Sequence, residues 1–230
     1  MSFVPAPGYG FTYGDYEKWP DDCRCELIDG ELYDMTPAPS REHQRILGEL
    51  HVQIHGALKG KSCQVFMAPF DVRLPDGDEP DHLVRTVVQP DISVICDEKK
   101  LDKRGCRGAP DFVIEILSPH TSLKDQKYKV ALYECHGVRE YWTIHPDDKV
   151  LTIRLLNEAG KYGIPEIRAM HGRVGVTVLP GVSIDFDEFI TWGPFYVMEN
   201  GPEWYYPYGG CEQVRRGYET NVIRDNAVRI

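Results

Sequence analysis

One carboxylate stands inside an otherwise apolar run of this sequence. Residues 112–117 read Phe-Val-Ile-Glu-Ile-Leu, and Glu115 is the only ionisable side chain among them. A continuous apolar run of this length is typical of a central strand that is covered on both faces. Because a buried carboxylate is costly unless it is paired, protonated or bound to a metal ion, we expect Glu115 to have a partner in the folded chain.

The segment after this run predicts a helix over residues 123–136. Ser122 and Asp125 have the spacing of a capping box, and Gly137 supplies a residue that ends the helix. Apolar residues at helical spacing predict the face that packs on the core. These residues are Tyr128, Ala131, Leu132 and Cys135.

The other hydrophobic patterns predict an α/β core in the order αβββαβ. An amphipathic helix precedes three strands, the capped helix and a further strand. The ranges outside the capped helix are 40–59, 62–74, 91–96, 111–117 and 139–145.

Further segments flank and interrupt this core. The Asp29-Gly30 pair favours a tight turn between two short apolar runs, which predicts an N-terminal β-hairpin. Residues 97–109 are polar and carry five basic side chains, and we interpret them as a mobile, solvated surface loop rather than a phosphate contact. Residues 193–230 are rich in Pro, Gly, Tyr and Trp, and we interpret them as an aromatic tail that packs on the body or on a partner chain rather than one whose rings stack on nucleic-acid bases. One domain is therefore predicted over residues 1–192.

The charge of the chain is unevenly distributed. Its formal net charge is −10; residues 11–35 hold eight acids and two bases, and residues 70–82 hold five acids and one base. The rest of the chain is close to neutral. A protein that binds nucleic acid mainly through charge is expected to be basic or to have a strongly basic face. The composition therefore argues against tight nonspecific binding.

Location is predicted from what the sequence lacks. It has no run of about 18 apolar residues, so no membrane-spanning helix is expected. The first 20 residues do not have the pattern of a secretory signal, and we place the protein in the cytoplasm. The seven cysteines are odd in number and include no Cys-x-x-Cys pair, which predicts free thiols.

Two carboxylates and a lysine fall on the inner elements of the predicted core. Pro90 has no amide hydrogen for a β-ladder, so it should sit at a strand end with Asp91 just inside the following strand. If Asp91 and Glu115 meet on adjacent strands, a hard divalent cation would relieve their repulsion and could activate water. The ammonium of Lys129, on the capped helix, could hold that water or a phosphate oxygen. This set is suited to the hydrolysis of a phosphodiester.

An ordered series of motifs resembles a known family. The segments are YGDYEKWP, CELIDGELYDM, HQRILGEL, QPDISVI, DFVIEILSP, the D-x-x-x-K-x-x-x-Y pattern from Asp125 to Tyr133, GVREYW and LPGVSIDFDEF. Together with the element order, they resemble the PD-(D/E)XK, restriction-endonuclease-like fold. More narrowly, they are similar to the Uma-two family of bacterial restriction endonucleases. The resemblance implies an αβββαβ core with a mixed central sheet.

The resemblance also implies a set of site residues. Asp91 and Glu115 would be metal ligands together with the backbone carbonyl of Ile116, and Mg²⁺, or Mn²⁺ in its place, would be the ion. The superfamily's lysine would stand at position 117, where this chain has Leu117. The family moves the base onto the next helix, and Lys129 is the matching position.

Several further residues are candidates for supporting roles. Glu31, His43 and Glu49 match family segments as outer ligands or substrate contacts, and Lys127 and Lys124 are fallback positions for the base. Tyr133, four residues after Lys129, is interpreted mainly as a core residue, as is Trp142.

Each assignment has an alternative that involves no catalysis. Asp91 could be a turn or cap residue, and Glu115 and Lys129 could form a structural ion pair. His43 could be a surface or capping group. The leading hypothesis is a metal-dependent endonuclease acting on DNA, with a homodimer to supply two active sites. The competing hypothesis is a catalytically inactive nuclease fold that serves as a binding or homodimeric assembly module.

Overall fold

The computed structural model describes residues 10–20, 24–35, 38–117 and 123–190. Within these ranges, the helices are α1 (Tyr13–Tyr16), α2 (Arg41–Leu58), α3 (Leu123–His136) and α4 (Asp187–Ile190). The strands are β1 (Cys25–Ile28), β2 (Glu31–Asp34), β3 (Gln64–Met67), β4 (Val72–Arg73), β5 (Val87–Val88), β6 (Ile92–Ile95), β7 (Leu101–Asp102), β8 (Gly105–Arg107), β9 (Phe112–Ile116), β10 (Glu140–His145), β11 (Val150–Leu155), β12 (Glu166–Ala169), β13 (Arg173–Gly175) and β14 (Ser183–Asp185). The predicted tail at 193–230, the cap residue Ser122 and the side chains of Lys124 and Asp125 lie outside the described residues.

The central sheet is mixed and has the strand order β12-β11-β10-β9-β6-β3. β9 and β10 pair in parallel, and the other pairings in this sheet are antiparallel. A parallel pair needs a crossover, and α3 provides it between β9 and β10. The predicted αβββαβ core with a mixed sheet is therefore confirmed.

Two helices pack on this sheet, one on each face. Side chains alternate along a strand, so Ile114 of β9 points into the cluster under α2, while Val113 points into the cluster under α3. Glu115 follows the alternation of Val113 and so belongs to the α3 face. This alternation decides which helix can supply its partner.

The side of α3 that faces the core differs from the prediction. Leu132 and Tyr133 are buried, whereas Tyr128 is 43% exposed and Cys135 is exposed. The buried face is thus displaced from the predicted one by about one residue, so that Lys129 and Tyr133 point inward. The predicted extent of the helix is confirmed, and Gly137 follows it with the expected positive φ of 85°.

A second six-stranded sheet carries the N-terminal hairpin, in the order β2-β1-β5-β4-β8-β7. The predicted turn is present, with positive φ angles at Asp29 and Gly30. The predicted strand at 62–74 is divided: β3 belongs to the central sheet and β4 to this second sheet. The chain changes sheet around Pro69, where a proline cannot continue a β-ladder.

The prediction of a mobile, solvated loop at residues 97–109 is wrong. Part of this segment forms the β7–β8 pair at the edge of the second sheet. Its arginines are held by acids, with Arg104 Nη1 2.8 Å from Glu17 Oε1 and Arg107 Nε 2.9 Å from Asp81 Oδ1. The basic side chains thus neutralise part of the acidic N-terminal half.

The cysteines also depart from the prediction. Cys63 and Cys96 form a disulfide, so the expectation of free thiols is wrong for this pair. The bond joins the residue before β3 to the residue after β6, where the two strands run side by side. Among the residues that the structure describes, every helix is too short or too polar to span a bilayer.

Candidate active site

Two acidic residues lie at the same end of neighbouring strands in the central sheet. β6 and β9 pair antiparallel, with Ile92 opposite Ile114. Continuing this register by one residue places Asp91 opposite Glu115, the arrangement in which side chains of paired strands are neighbours. Asp91 comes immediately before β6, because the strand begins one residue later than predicted.

Asp91 is held from two directions. Its Oδ2 accepts a hydrogen bond from the backbone amide of Ile116 at 2.7 Å and lies 3.1 Å from Nε2 of His43. Burial by itself lowers the pKa of His43, but the hydrogen bond to Asp91 and the charges of Asp91 and Glu115 outweigh it, so the pKa is raised. His43 is a buried residue of α2, not a surface group, and its own backbone amide is capped by Ser40 Oγ.

Glu115 is paired with two groups of α3. Its Oε1 lies 2.8 Å from Nζ of Lys129 and accepts a hydrogen bond from the Tyr133 hydroxyl at 2.7 Å. Burial raises the pKa of Glu115 to about 7; the Lys129 ammonium opposes this rise, while the Asp91 and Glu26 carboxylates add to it. The partner that the sequence demanded for Glu115 is therefore Lys129, together with a tyrosine that the sequence placed in the core.

Lys129 has a second acidic partner that the sequence analysis missed. Its Nζ lies 3.0 Å from Oε1 of Glu26, a buried residue of β1. Burial lowers the pKa of Lys129, but the charges of Glu115 and Glu26 outweigh burial and raise it. Lys129 therefore remains an ammonium in this environment and is better suited to hold a charge than to remove a proton.

The signal for Glu26 was present in the sequence. It is an ionisable residue in the short apolar run of β1, as Glu115 is in β9. The hairpin was interpreted as an extension of the core, and nothing in its local pattern shows that the second sheet brings it to α3.

A comparison with protein families identifies the family of this chain. The model of the Uma2 family, described as "Putative restriction endonuclease", matches residues 13–187, well over half of the chain. The chain belongs to the Uma2 family. The matched range includes β1, Asp91 with β6, β9 with Glu115, and α3.

Two further similarities extend this result. An uncharacterized protein of Synechocystis sp. is 26% identical over 130 residues, which cover 56% of this chain and 64% of that protein. The match thus spans less than two thirds of the relative's length. A crystal structure from Anabaena variabilis, of a protein described as "a putative nuclease belonging to DUF820", has a TM-score of 0.62 and 22% identity. It covers 79% of this chain and 98% of that one, and shows that the two chains share a fold.

The structure does not bring every predicted supporting residue to this cluster. Tyr133 and His43 contact the acids directly. Glu31 and Lys127 are exposed and Glu49 is half-buried. Within the described part of the chain, none of these three has a hydrogen bond or ion pair to Asp91, Glu115 or Lys129.

Asp91 and Glu115 offer donor atoms of the kind that a hard divalent cation takes. Within the described residues, Asp91 and Glu115 each use one carboxylate oxygen in the contacts above, which leaves Oδ1 of Asp91 and Oε2 of Glu115. Carboxylate oxygens are the ligands that Mg²⁺ prefers, in small number and with water completing the shell. No group of three or more His, Cys, Asp or Glu among the described residues is arranged to hold a metal ion. The predicted ligand set has only two such side chains, Asp91 and Glu115, and takes its third donor from the backbone carbonyl of Ile116.

Proposed function

We propose that this Uma2 protein is a Mg²⁺- or Mn²⁺-dependent endonuclease that hydrolyses phosphodiester bonds of DNA. One observation carries the proposal: Lys129 of α3 contacts Glu115 at the strand end where Asp91 is the neighbouring acid. Acids on paired strands with an ammonium beside them suit metal-assisted phosphoryl chemistry. The proposal is supported by the family model, described as "Putative restriction endonuclease", and by the fold shared with a protein described as "a putative nuclease".

Each residue has a distinct role in this proposal. Asp91, Glu115 and the backbone carbonyl of Ile116 would hold the ion. When bound, the ion would supply an activated water and would offset charge that builds up on the phosphate. Lys129 would orient that water or a phosphate oxygen as an ammonium. His43 and the Ile116 amide hold Asp91 in place, and Tyr133 fixes the Glu115 carboxylate.

Cleavage of a supercoiled plasmid by the purified chain tests the function. We expect nicked and linear products in Mg²⁺ or Mn²⁺ and none in EDTA. The activity should co-elute with the chain in gel filtration, which separates it from a contaminating nuclease. Parallel single-stranded DNA and RNA substrates define the substrate class. If neither ion supports cleavage of DNA, the proposal fails.

Metal binding tests the site independently of catalysis. We expect Asp91→Asn to weaken the affinity for Mn²⁺, measured by calorimetry, by about 100-fold or more, because a ligand charge is lost. The amide oxygen can still accept from the Ile116 amide, so the variant should remain folded. Asp148→Asn, in the exposed β10–β11 turn, is the matched control and should bind Mn²⁺ like the wild type. Equal affinity in Asp91→Asn would place the ion elsewhere.

A second candidate function, without catalysis, is favoured by the ion pairs that Lys129 makes within the chain. Two carboxylates already hold its ammonium, and a structural ion pair of this kind needs no substrate. The chain would then be a binding or homodimeric assembly module. A folded wild type that binds no Mn²⁺ would favour this candidate. A homodimer is part of both proposals, since cutting both strands calls for two active sites, and sedimentation measures it.

A further inference from the structure

Glu26 occupies a position where a charged side chain is expected to be costly. All four residues of β1 are buried, and only 5% of Glu26 is exposed. A buried carboxylate persists only when its oxygens are hydrogen-bonded or paired with charge. The partners of Glu26 therefore indicate what it is there to hold.

The first partner is the segment that leads to Asp91. Oε1 of Glu26 accepts a hydrogen bond from the backbone amide of Gln89 at 2.8 Å. The Gln89 side chain is also fixed, because its Nε2 donates to Asp71 Oδ1 at 2.8 Å and to the Tyr16 hydroxyl at 3.1 Å. Asp91 follows two residues later, after Pro90. Through Glu26, the N-terminal hairpin thus anchors the segment that leads to Asp91, the first predicted metal ligand.

The second partner is Lys129. The same Oε1 of Glu26 lies 3.0 Å from the Lys129 ammonium, which is also 2.8 Å from Oε1 of Glu115. The ammonium therefore lies between Glu26 of the second sheet and Glu115 of the central sheet and contacts both. Two anchors from different elements fix the position of a flexible lysine far better than one.

The charges show why the second anchor matters for the site. With Glu26 present, one ammonium is shared between two carboxylates, and Asp91 adds a third acid. Without Glu26, the ammonium would neutralise Glu115 alone, leaving less negative charge for a divalent cation. Glu26 thus keeps Lys129 close without letting it cancel the charge of Glu115.

We propose that Glu26 is a positioning residue of the active site, which acts by holding the Lys129 ammonium and the Gln89–Asp91 segment in place. The proposal rests on the nuclease function for its effect on cleavage. Its effect on Lys129 stands on the contacts alone and can be measured without any activity.

Glu26→Gln in the full-length chain separates charge from shape. The glutamine oxygen can accept the same two hydrogen bonds, so the thermal unfolding midpoint should stay near that of the wild type. Acylation of lysines with an amine-reactive ester, followed by mass spectrometry, reports how firmly Lys129 is held. We expect Lys129 to react about fivefold faster in Glu26→Gln, because a charge-assisted hydrogen bond has become a neutral one. Lys127, exposed on the same helix, is the internal control and should react equally in both proteins.

Cleavage kinetics then test the link to the site. We expect Glu26→Gln to lower kcat about 10- to 100-fold, as loss of a supporting partner does in metal sites, with KM for DNA unchanged. In a Lys129→Gln background, the same substitution should cost nothing further, because the glutamine still accepts from the Gln89 amide and only the contact to Lys129 is weakened.

The outcomes separate this proposal from the nuclease function. A Lys129 acylation rate in Glu26→Gln equal to that of the wild type would overturn the proposal, whatever the cleavage result. Faster acylation with unchanged kcat, or losses that add in the double variant, would overturn its role in the active site. If the wild type cleaves no DNA, the nuclease function fails, and the acylation rates still decide whether Glu26 holds Lys129.

Discussion

Glu115→Gln is expected to reduce metal-dependent cleavage by about 1,000-fold or more while the chain remains folded. A metal ligand contributes several kcal/mol to the transition state, and each 1.36 kcal/mol is a factor of ten in rate. The amide oxygen can still accept from Tyr133 and Lys129, so the contacts that fix the side chain survive. The loss should therefore appear in kcat of a plasmid-cleavage assay. Glu166→Gln, on the exposed edge strand β12, should cleave like the wild type.

The pH dependence of stability provides an independent check on the same variant. The folded pKa of Glu115, about 7, lies above its ordinary value of 4.5. Such a group contributes stability below pH 4.5, and this contribution is lost as the pH rises through about 7. Glutamine does not titrate, so the variant escapes this loss. Its unfolding free energy should therefore rise relative to that of the wild type as the pH is raised from 4.5 to about 7. Urea unfolding in EDTA measures the difference in unfolding free energy between the two proteins. A difference that does not vary with pH would contradict a buried Glu115 carboxyl with a raised pKa.

Local sequence patterns were sufficient for the centre of this fold. The run around Glu115 predicted a central strand because only a covered strand is apolar on both faces, and β9 is fully buried. The glycine after α3 and the Asp29-Gly30 turn were predicted from backbone conformations that few other residues adopt. The pairing of Asp91 with Glu115 followed from placing their strands next to each other.

Tertiary contacts decided what the patterns could not. The apolar face predicted for α3 is displaced because Lys129 and Tyr133 point into the core, where the acids partner them. Hydrophobic periodicity treats a lysine as a surface residue and cannot identify this face. Glu26 was missed for a related reason, since its partner Lys129 is 103 positions away along the chain.

Lys129→Met is expected to cause the largest loss of stability in the active site. Methionine has a similar length but no charge, so Glu26 and Glu115 would face each other without a cation between them. Removing one partner of a buried ion pair costs about 3–5 kcal/mol. Because 19% of the Lys129 side chain is exposed, we expect a loss near the lower end, about 3 kcal/mol. Urea unfolding at pH 7.5 measures this loss. Lys127→Met, an exposed change on the same helix, should stay within about 0.5 kcal/mol of the wild type.

The loss in Lys129→Met should shrink in acid, and this dependence identifies its cause. The Lys129 ammonium lowers the pKa of Glu115, so its removal should raise that pKa above about 7. The carboxyl of the folded variant then takes up a proton at a pH where the unfolded chain is still ionised, and protonation relieves the repulsion from Glu26. The wild type also gains stability as its own Glu115 takes up a proton, but the pKa of this group is higher in the variant, so the difference in unfolding free energy between the two proteins should be smaller at pH 5 than at pH 7.5. A loss of the same size at both ends of this range would mean that lost packing of the lysine stem, and not the unpaired carboxylates, destabilises the variant.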